Sequence, residues 1–236
     1  MRILVLLAFV CAVPAAAQDS PSGSLIKNRA AVVGEAPPGA NPQLRARQVT
    51  DDFAKCLVVS RQRAVDRLLT IPAVGTAQGD WAKGFDIDSC LAPAGYGVVK
   101  LRMPFPVLRG AVFRALYVRD RRGQPLGNLS ATGGSPPPLP DWSADIASVA
   151  NVDPAETQTY IGLRNFAACV VLAKPLEVHD LLLAKTGFAP ENAALALVTP
   201  AIAGCLPTGE TLRINKQVMI GLLAETAYRL GGQPTP

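Results

Sequence analysis

The sequence predicts a mostly α-helical fold built as two tandem helical repeats, about four helices each, with one disulfide in each repeat. Three observations lead there. Phe53-Ala54-Lys55-Cys56 recurs as Phe166-Ala167-Ala168-Cys169, and at the same offset of 113 Val58, Val65, Leu68 and Leu69 meet Val171, Val178, Leu181 and Leu182. Cys90-Leu91 then matches Cys205-Leu206, and Leu101-Arg102, Gly110 and Tyr117 match Leu212-Arg213, Gly221 and Tyr228 at an offset of 111. Signals for helix starts also fall at equivalent places in the two copies. Self-similarity of this kind is read first because it sets the domain count.

Residues 1–17 read as a signal segment. Met1-Arg2 supplies a positive start, Ile3 to Val13 an apolar stretch of eleven residues, and Ala15-Ala16-Ala17 a small-residue cleavage site. Eleven residues are too few for a membrane-spanning helix, which needs about twenty. Cys11 lies inside the apolar stretch, behind Val10, where a lipid-modified cysteine would follow that stretch and a small residue; it is read as discarded with the signal. Residues 18–40, rich in Pro, Gly, Ser and Ala without periodicity, read as a flexible leader. Repeat 1 occupies 41–120 and repeat 2 occupies 151–232. The intervening 121–150 carries Gly127-Asn128, Gly133-Gly134 and Ser135-Pro136-Pro137-Pro138, and reads as a Pro/Gly-rich linker.

Loss of Cys11 leaves four cysteines, an even number in a chain routed to an oxidising compartment. Of the three possible connectivities, Cys56–Cys90 with Cys169–Cys205 alone puts one bridge in each copy. Such loops contribute about 3–4 kcal/mol on the chain-entropy account. A metal site of four thiolates would call for closely spaced pairs such as C-x-x-C, which neither copy has.

Within each copy, Asn41-Pro42 and Asp153-Pro154 place a capping side chain before a proline at the first helical position, starting helices that reach about Val59 and Val171. Asp153 with Glu156 makes a capping-box-like pair. A second helix follows near Arg61 with Ser60 as its cap, and Pro175 starts its counterpart. Ala189-Pro190-Glu191-Asn192 opens a third helix in repeat 2, with a weaker equivalent around Asp80 to Asp88. The final helices span Pro106 to Val118 and Lys216 to Leu230. Gly110 and Gly221 fall inside them at a cost of about 1 kcal/mol each, which points to close helix contact. Tyr117 and Tyr228 read as buried rings with satisfied hydroxyls, and Arg102 and Arg213 as residues serving helix ends.

No catalytic residue is assigned from the sequence. His179 is the lone histidine, and its counterpart in the first copy is Asp66, so the position reads as a solvated helix face. There is no G-x-S-x-G, H-E-x-x-H, G-x-G-x-x-G or phosphate loop, and nothing supports a cofactor or a metal. Asp86-Ile87-Asp88 offers too few oxygens for a calcium loop.

Charge separates the copies. Residues 41–122 carry 14 Lys or Arg against 7 Asp or Glu, whereas 151–236 carry 6 against 7. Arg61, Arg63 and Arg67 near the second helix, with Arg109, Arg114 and Arg119 near the last, form a candidate anion-binding set, because arginine suits bidentate contact with phosphate or carboxylate. For a secreted or periplasmic chain the expected partner is anionic envelope lipid, glycan or an acidic protein rather than nucleic acid.

The pattern of Phe-Ala-x-Cys, a second Cys-Leu, and a closing helix with Gly and Tyr resembles uncharacterised signal-bearing bacterial proteins, over both repeats. The resemblance implies a bacterial, envelope-side setting and carries over no activity and no catalytic residue. The preferred reading is a non-catalytic binding or structural module whose arginine-rich first repeat contacts an anionic partner. The alternatives are a hydrolase using carboxylates in a cleft between repeats, which would need carboxyls converging within about 10 Å, and a carrier of a small apolar ligand between helices.

Overall fold

The computed structural model describes residues 41–74, 88–90, 103–124, 126, 138–147, 149, 152–206 and 212–231. Among these residues the chain is mostly α-helical and has no strand. The helices are α1 (Pro42–Ser60), α2 (Gln62–Thr70), α3 (Phe105–Arg121), α4 (Trp142–Ile146), α5 (Pro154–Ala173), α6 (Pro175–Leu183), α7 (Ala189–Gly204) and α8 (Lys216–Leu230), with a 3-10 turn at Asp88–Cys90. The signal segment, the leader, Arg102, most of the linker and nearly all of the helix expected around Asp80 to Asp88 lie outside the described residues.

The start signals act as their chemistry requires. The Asn41 side chain accepts from the backbone N–H groups of Gln43 and Leu44, and Asp153 accepts from that of Ala155, so each satisfies donors that the first helical turn leaves orphaned. Asn215 does the same for α8 through Val218. Ser60 is not the cap of α2. It is the last residue of α1, its hydroxyl donates to the Cys56 carbonyl, and Arg61 takes the cap position without a side-chain bond. Asp141, inside the expected linker, caps α4 through Ser143 and Ala144.

Both disulfides form in the expected pairing, Cys56–Cys90 with Cα atoms 5.5 Å apart and Cys169–Cys205 with 5.8 Å. The first ties α1 to the 3-10 turn and the second ties α5 to the end of α7.

The two halves share one hydrophobic core. Phe53, Leu57, Val65 and Leu68 from α1 and α2 belong to the same buried cluster as Phe166, Val170, Leu181 and Leu182 from α5 and α6. At its centre α3 packs against α8, with α1 against α3 and α5 against α8 on the flanks. A smaller cluster of Val74, Trp142, Ile146 and Tyr160 sits under α4.

Gly110 and Gly221 meet where α3 and α8 touch. A Cβ built on Gly110 would lie 2.5 Å from the Gly221 Cα, and one built on Gly221 would lie 2.8 Å from the Gly110 Cα. Both obstacles are backbone, so no side chain can swing aside. Gly162, exposed in α5, has open space around it. Gly110→Ala is therefore expected to destabilise by about 2 kcal/mol or more through overpacking. Gly162→Ala should stabilise by roughly 0.5–1 kcal/mol through helix propensity alone. Urea unfolding of the two variants checks the contrast, and equal effects of the same sign would contradict the packing account.

Candidate functional site

The described residues place the six candidate arginines in two different environments. Arg109 and Arg114 are buried on α3, at 1% and 8% exposure, and face the protein's own carboxylates and carbonyls. Arg109 donates through Nε and Nη2 to Glu225 Oε1 on α8, and through Nη1 to the carbonyls of Leu68, Leu69 and Ile71 at the end of α2. Arg114 donates to Asp51 on α1, to Thr186, and to the carbonyls of Leu182 and Ala184 at the end of α6. These guanidiniums have their hydrogen-bonding capacity taken up internally, so the assignment of Arg109 and Arg114 to an external anion is corrected.

The other four lie toward solvent. Arg61, half-buried, donates to the Ser60 carbonyl and to Ser89 Oγ, holding the junction of α1 and α2 against the 3-10 turn. Arg63 and Arg67 are exposed one turn apart on α2, and Arg119 is exposed near the end of α3. Arg119 Nη1 donates to Gln62 Oε1 over 3.3 Å, which sets the end of α3 beside the start of α2. Arg119 also pairs with Asp120, whose carboxyl that hydrogen bond holds below the ordinary carboxylate range. Arg122, one residue past α3, is exposed as well. Arg213 is exposed before α8.

A charged cluster that the sequence did not reveal lies inside the fold. Glu225 on α8 accepts from Arg109 through Oε1 at 2.8 Å and from Arg164 of α5 through Oε2 at 2.9 Å. Burial alone would raise the Glu225 pKa, but the two guanidiniums outweigh it and hold the carboxyl below its usual range. Arg164 stacks over the Tyr160 ring with 3.4 Å to the centroid, and Arg229 lies over Trp142 at 5.1 Å while pairing with Asp145. On the other side of α8, buried Glu191 accepts from Arg47 and Lys216 and from the Gly187 N–H, and these bonds overcome burial to keep it ionised.

A sequence signal for this cluster exists in the alignment of the two matching segments. At the offsets of 113 and 111, Asp51 aligns with Arg164 and Arg114 with Glu225. The part-buried pair Asp51–Arg114 in one half thus has an equivalent in the other, the buried pair Arg164–Glu225, with the charges exchanged.

His179 overturns the reading of its position as a solvated face. Its ring is buried, and Nδ1 shares a 2.9 Å hydrogen bond with the Tyr117 hydroxyl. Burial lowers the His179 pKa below its ordinary value, against a smaller opposing effect of Asp180, and burial pushes Tyr117 up to about 12. The position tolerates Asp66 in the other half because that residue is exposed. Tyr228, likewise buried, donates to Asp120 at 3.0 Å.

Glu191 and Glu225 each tie together side chains from several helices. A general acid of the glycosidase kind needs a carboxyl whose pKa is raised, whereas Glu191 and Glu225 are held ionised by arginine and lysine. Among the described residues no three of His, Cys, Asp and Glu converge to hold a metal, and no helix is long and apolar enough to cross a membrane. No family model, curated protein or solved structure matches the chain.

Two outcomes follow. Glu225→Gln should cost about 3–5 kcal/mol, because it leaves two buried guanidiniums without a counter-charge; a loss under 1 kcal/mol in urea unfolding would show that the cluster is solvated. Stability should also decline as pH falls below about 6.5, since the unfolded chain binds a proton at His179 that the buried ring refuses. The decline lies between the ordinary imidazole pKa and the lower value in the fold, and above that window both states are neutral. His179→Gln should flatten this part of the stability profile in thermal melts between about pH 7.5 and 5.5.

Proposed function

We propose that the protein is a non-catalytic binding module, duplicated within one chain, exported by its N-terminal segment and working outside the cytoplasm, where it docks on an anionic surface. The docking face consists of Arg63 and Arg67 on α2 with Arg122 just past α3, and Arg119, held by Asp120 and Gln62, borders it. The observation that supports this reading is the Arg119–Gln62 hydrogen bond, which sets the end of α3, with exposed Arg122 just beyond it, beside the start of α2, the helix that bears exposed Arg63 and Arg67. The two disulfides agree with an oxidising compartment. In such a compartment the phosphate of an anionic envelope lipid is the ligand best suited to exposed guanidiniums. A glycan or an acidic protein would meet the same face with weaker charge density.

Arginines near an anionic lipid surface are worth about 1 kcal/mol each. Binding to vesicles containing anionic phospholipid should therefore weaken about 30-fold in the Arg63→Gln/Arg67→Gln double variant, and should vanish as salt approaches about 1 M, where screening acts within roughly 3 Å. Co-sedimentation measures both. Binding that ignores salt, or no binding to anionic vesicles at low salt, overturns the proposal.

A further inference from the structure

The two disulfides differ in what can reach them. In the first half Cys90 is 5% exposed and Cys56 is half-buried, and the Ser60 hydroxyl lies 3.4 Å from Cys56 Sγ and 3.6 Å from Cys90 Sγ. In the second half Cys169 is exposed and Cys205 half-buried, and the residue aligned with Ser60 is Ala173, which has no hydroxyl to set against the sulfurs. Asn165 and Ala173 stand one turn before and one turn after Cys169 on α5, both exposed and uncharged. On α7, Leu197, Ala201 and Cys205 follow at a spacing of four, a path of about 12 Å along the axis from a 59% exposed leucine to the bridge.

The open bridge is also separable from the core. Buried Ala194 and Val198 seat α7 in the common cluster, and α7 packs against α6 as well as α5. Opening Cys169–Cys205 leaves those contacts in place and releases only the tie from the end of α7 to α5. Exchange requires a thiolate to reach a sulfur, and exposed bridges are the labile ones.

We propose that Cys169–Cys205 is an exchange site for a dithiol protein of the C-x-x-C kind, while Cys56–Cys90 is a structural bridge out of its reach. One thiolate of the partner attacks Cys169 Sγ; the S–S bond breaks and Cys205 leaves as a thiolate, which takes up a proton. The partner's second thiol, once deprotonated, attacks its own sulfur in the mixed disulfide and expels Cys169, which is protonated in turn. The partner ends as a disulfide, oxidised by two electrons, and this chain ends with two thiols. A single thiol would stop at the mixed disulfide until a second molecule arrived. Leu197 offers a protein partner an apolar contact beside the bridge that a small thiol does not use. None of these residues belongs to the exposed arginine face of α2 and α3, so the two readings stand or fall separately.

Reduction of the full chain by thioredoxin under native conditions, followed by alkylation and mass spectrometry of the peptides, tests the site. Cys169 and Cys205 should be alkylated at least about tenfold faster than Cys56 and Cys90. A thioredoxin whose second active-site cysteine is replaced by serine should be trapped on Cys169. Leu197→Glu should slow reduction by thioredoxin several-fold and leave reduction by dithiothreitol unchanged. Equal rates at the two bridges, faster opening of Cys56–Cys90, or trapping on a cysteine other than Cys169 overturns the exchange site. A Leu197→Glu chain that thioredoxin reduces at the ordinary rate overturns the choice of a protein as the partner.

Discussion

The backbone contact of Gly110 with Gly221 is the constraint on which the rest of the fold depends. Helices whose side chains separate them pack 8–10 Å apart, and a glycine pair removes that spacer at the crossing. The consequences sit on either side of the contact. Arg109 precedes Gly110 and Glu225 lies one turn beyond Gly221, so the close approach brings a guanidinium and a carboxylate into bonding distance in the middle of the protein. Phe113 and Tyr228, one and two turns along their helices, then meet with ring centroids 5.9 Å apart. The glycines give up helix propensity of about 1 kcal/mol each, and the core that closes around α3 and α8 recovers it.

Charge follows the same central pair. The first half of the chain is basic and the second slightly acidic, which viewed as sequence suggests a basic surface. In the fold much of that difference is spent between the halves. Arg47 pairs with Glu191 and Arg109 with Glu225, while Arg114 reaches the carbonyls of Leu182 and Ala184 and Arg121 reaches that of Gly231. The carbonyls of Leu182 and Ala184 belong to the end of α6, where a helix leaves acceptors unpaired and its dipole favours a cation. What remains exposed on α2 and at the end of α3 is a smaller set than composition alone implies.

Most of the helices, the caps Asn41 and Asp153, the disulfide pairing and the glycine contact were legible in the sequence, because each depends on short-range rules: a capping side chain before proline, a period of 3.6, an even set of cysteines, a glycine where a helix should not want one. Ser60 as a cap was not upheld, and α4 with its cap Asp141 was hidden in a Pro/Gly-rich stretch. The buried charges were not legible either. An arginine at Arg109 or Arg114 reads as surface by type, and its partners lie in segments far away along the chain. His179 misled for a related reason: its aligned counterpart Asp66 is exposed, whereas the His179 ring is buried and meets Tyr117 from the other half. Even so, the alignment held a clue, since the positions four residues after Gly110 and Gly221 are both charged, Arg114 and Glu225, where an apolar residue would be the ordinary choice for a central helix.

That clue bears on how a chain with two similar halves avoids pairing its helices wrongly. Aligned core positions are nearly interchangeable, with Phe53 matching Phe166, Val58 matching Val171 and Leu68 matching Leu181, so apolar burial distinguishes poorly between α1 on α3 and α1 on α8. The exchanged ion pairs do distinguish. In the fold Asp51 faces Arg114 and Arg164 faces Glu225. If α1 and α5 traded partners, Asp51 would face Glu225 and Arg164 would face Arg114, two like-charge contacts in a setting of low dielectric. Buried ion pairs add little net stability over apolar residues of the same size, but breaking one costs several kcal/mol, and a juxtaposition of like charges costs more again. The charge exchange thus selects one pairing of helices over another that hydrophobicity would accept, and it supplies a physical reason for two similar halves to differ at these buried positions.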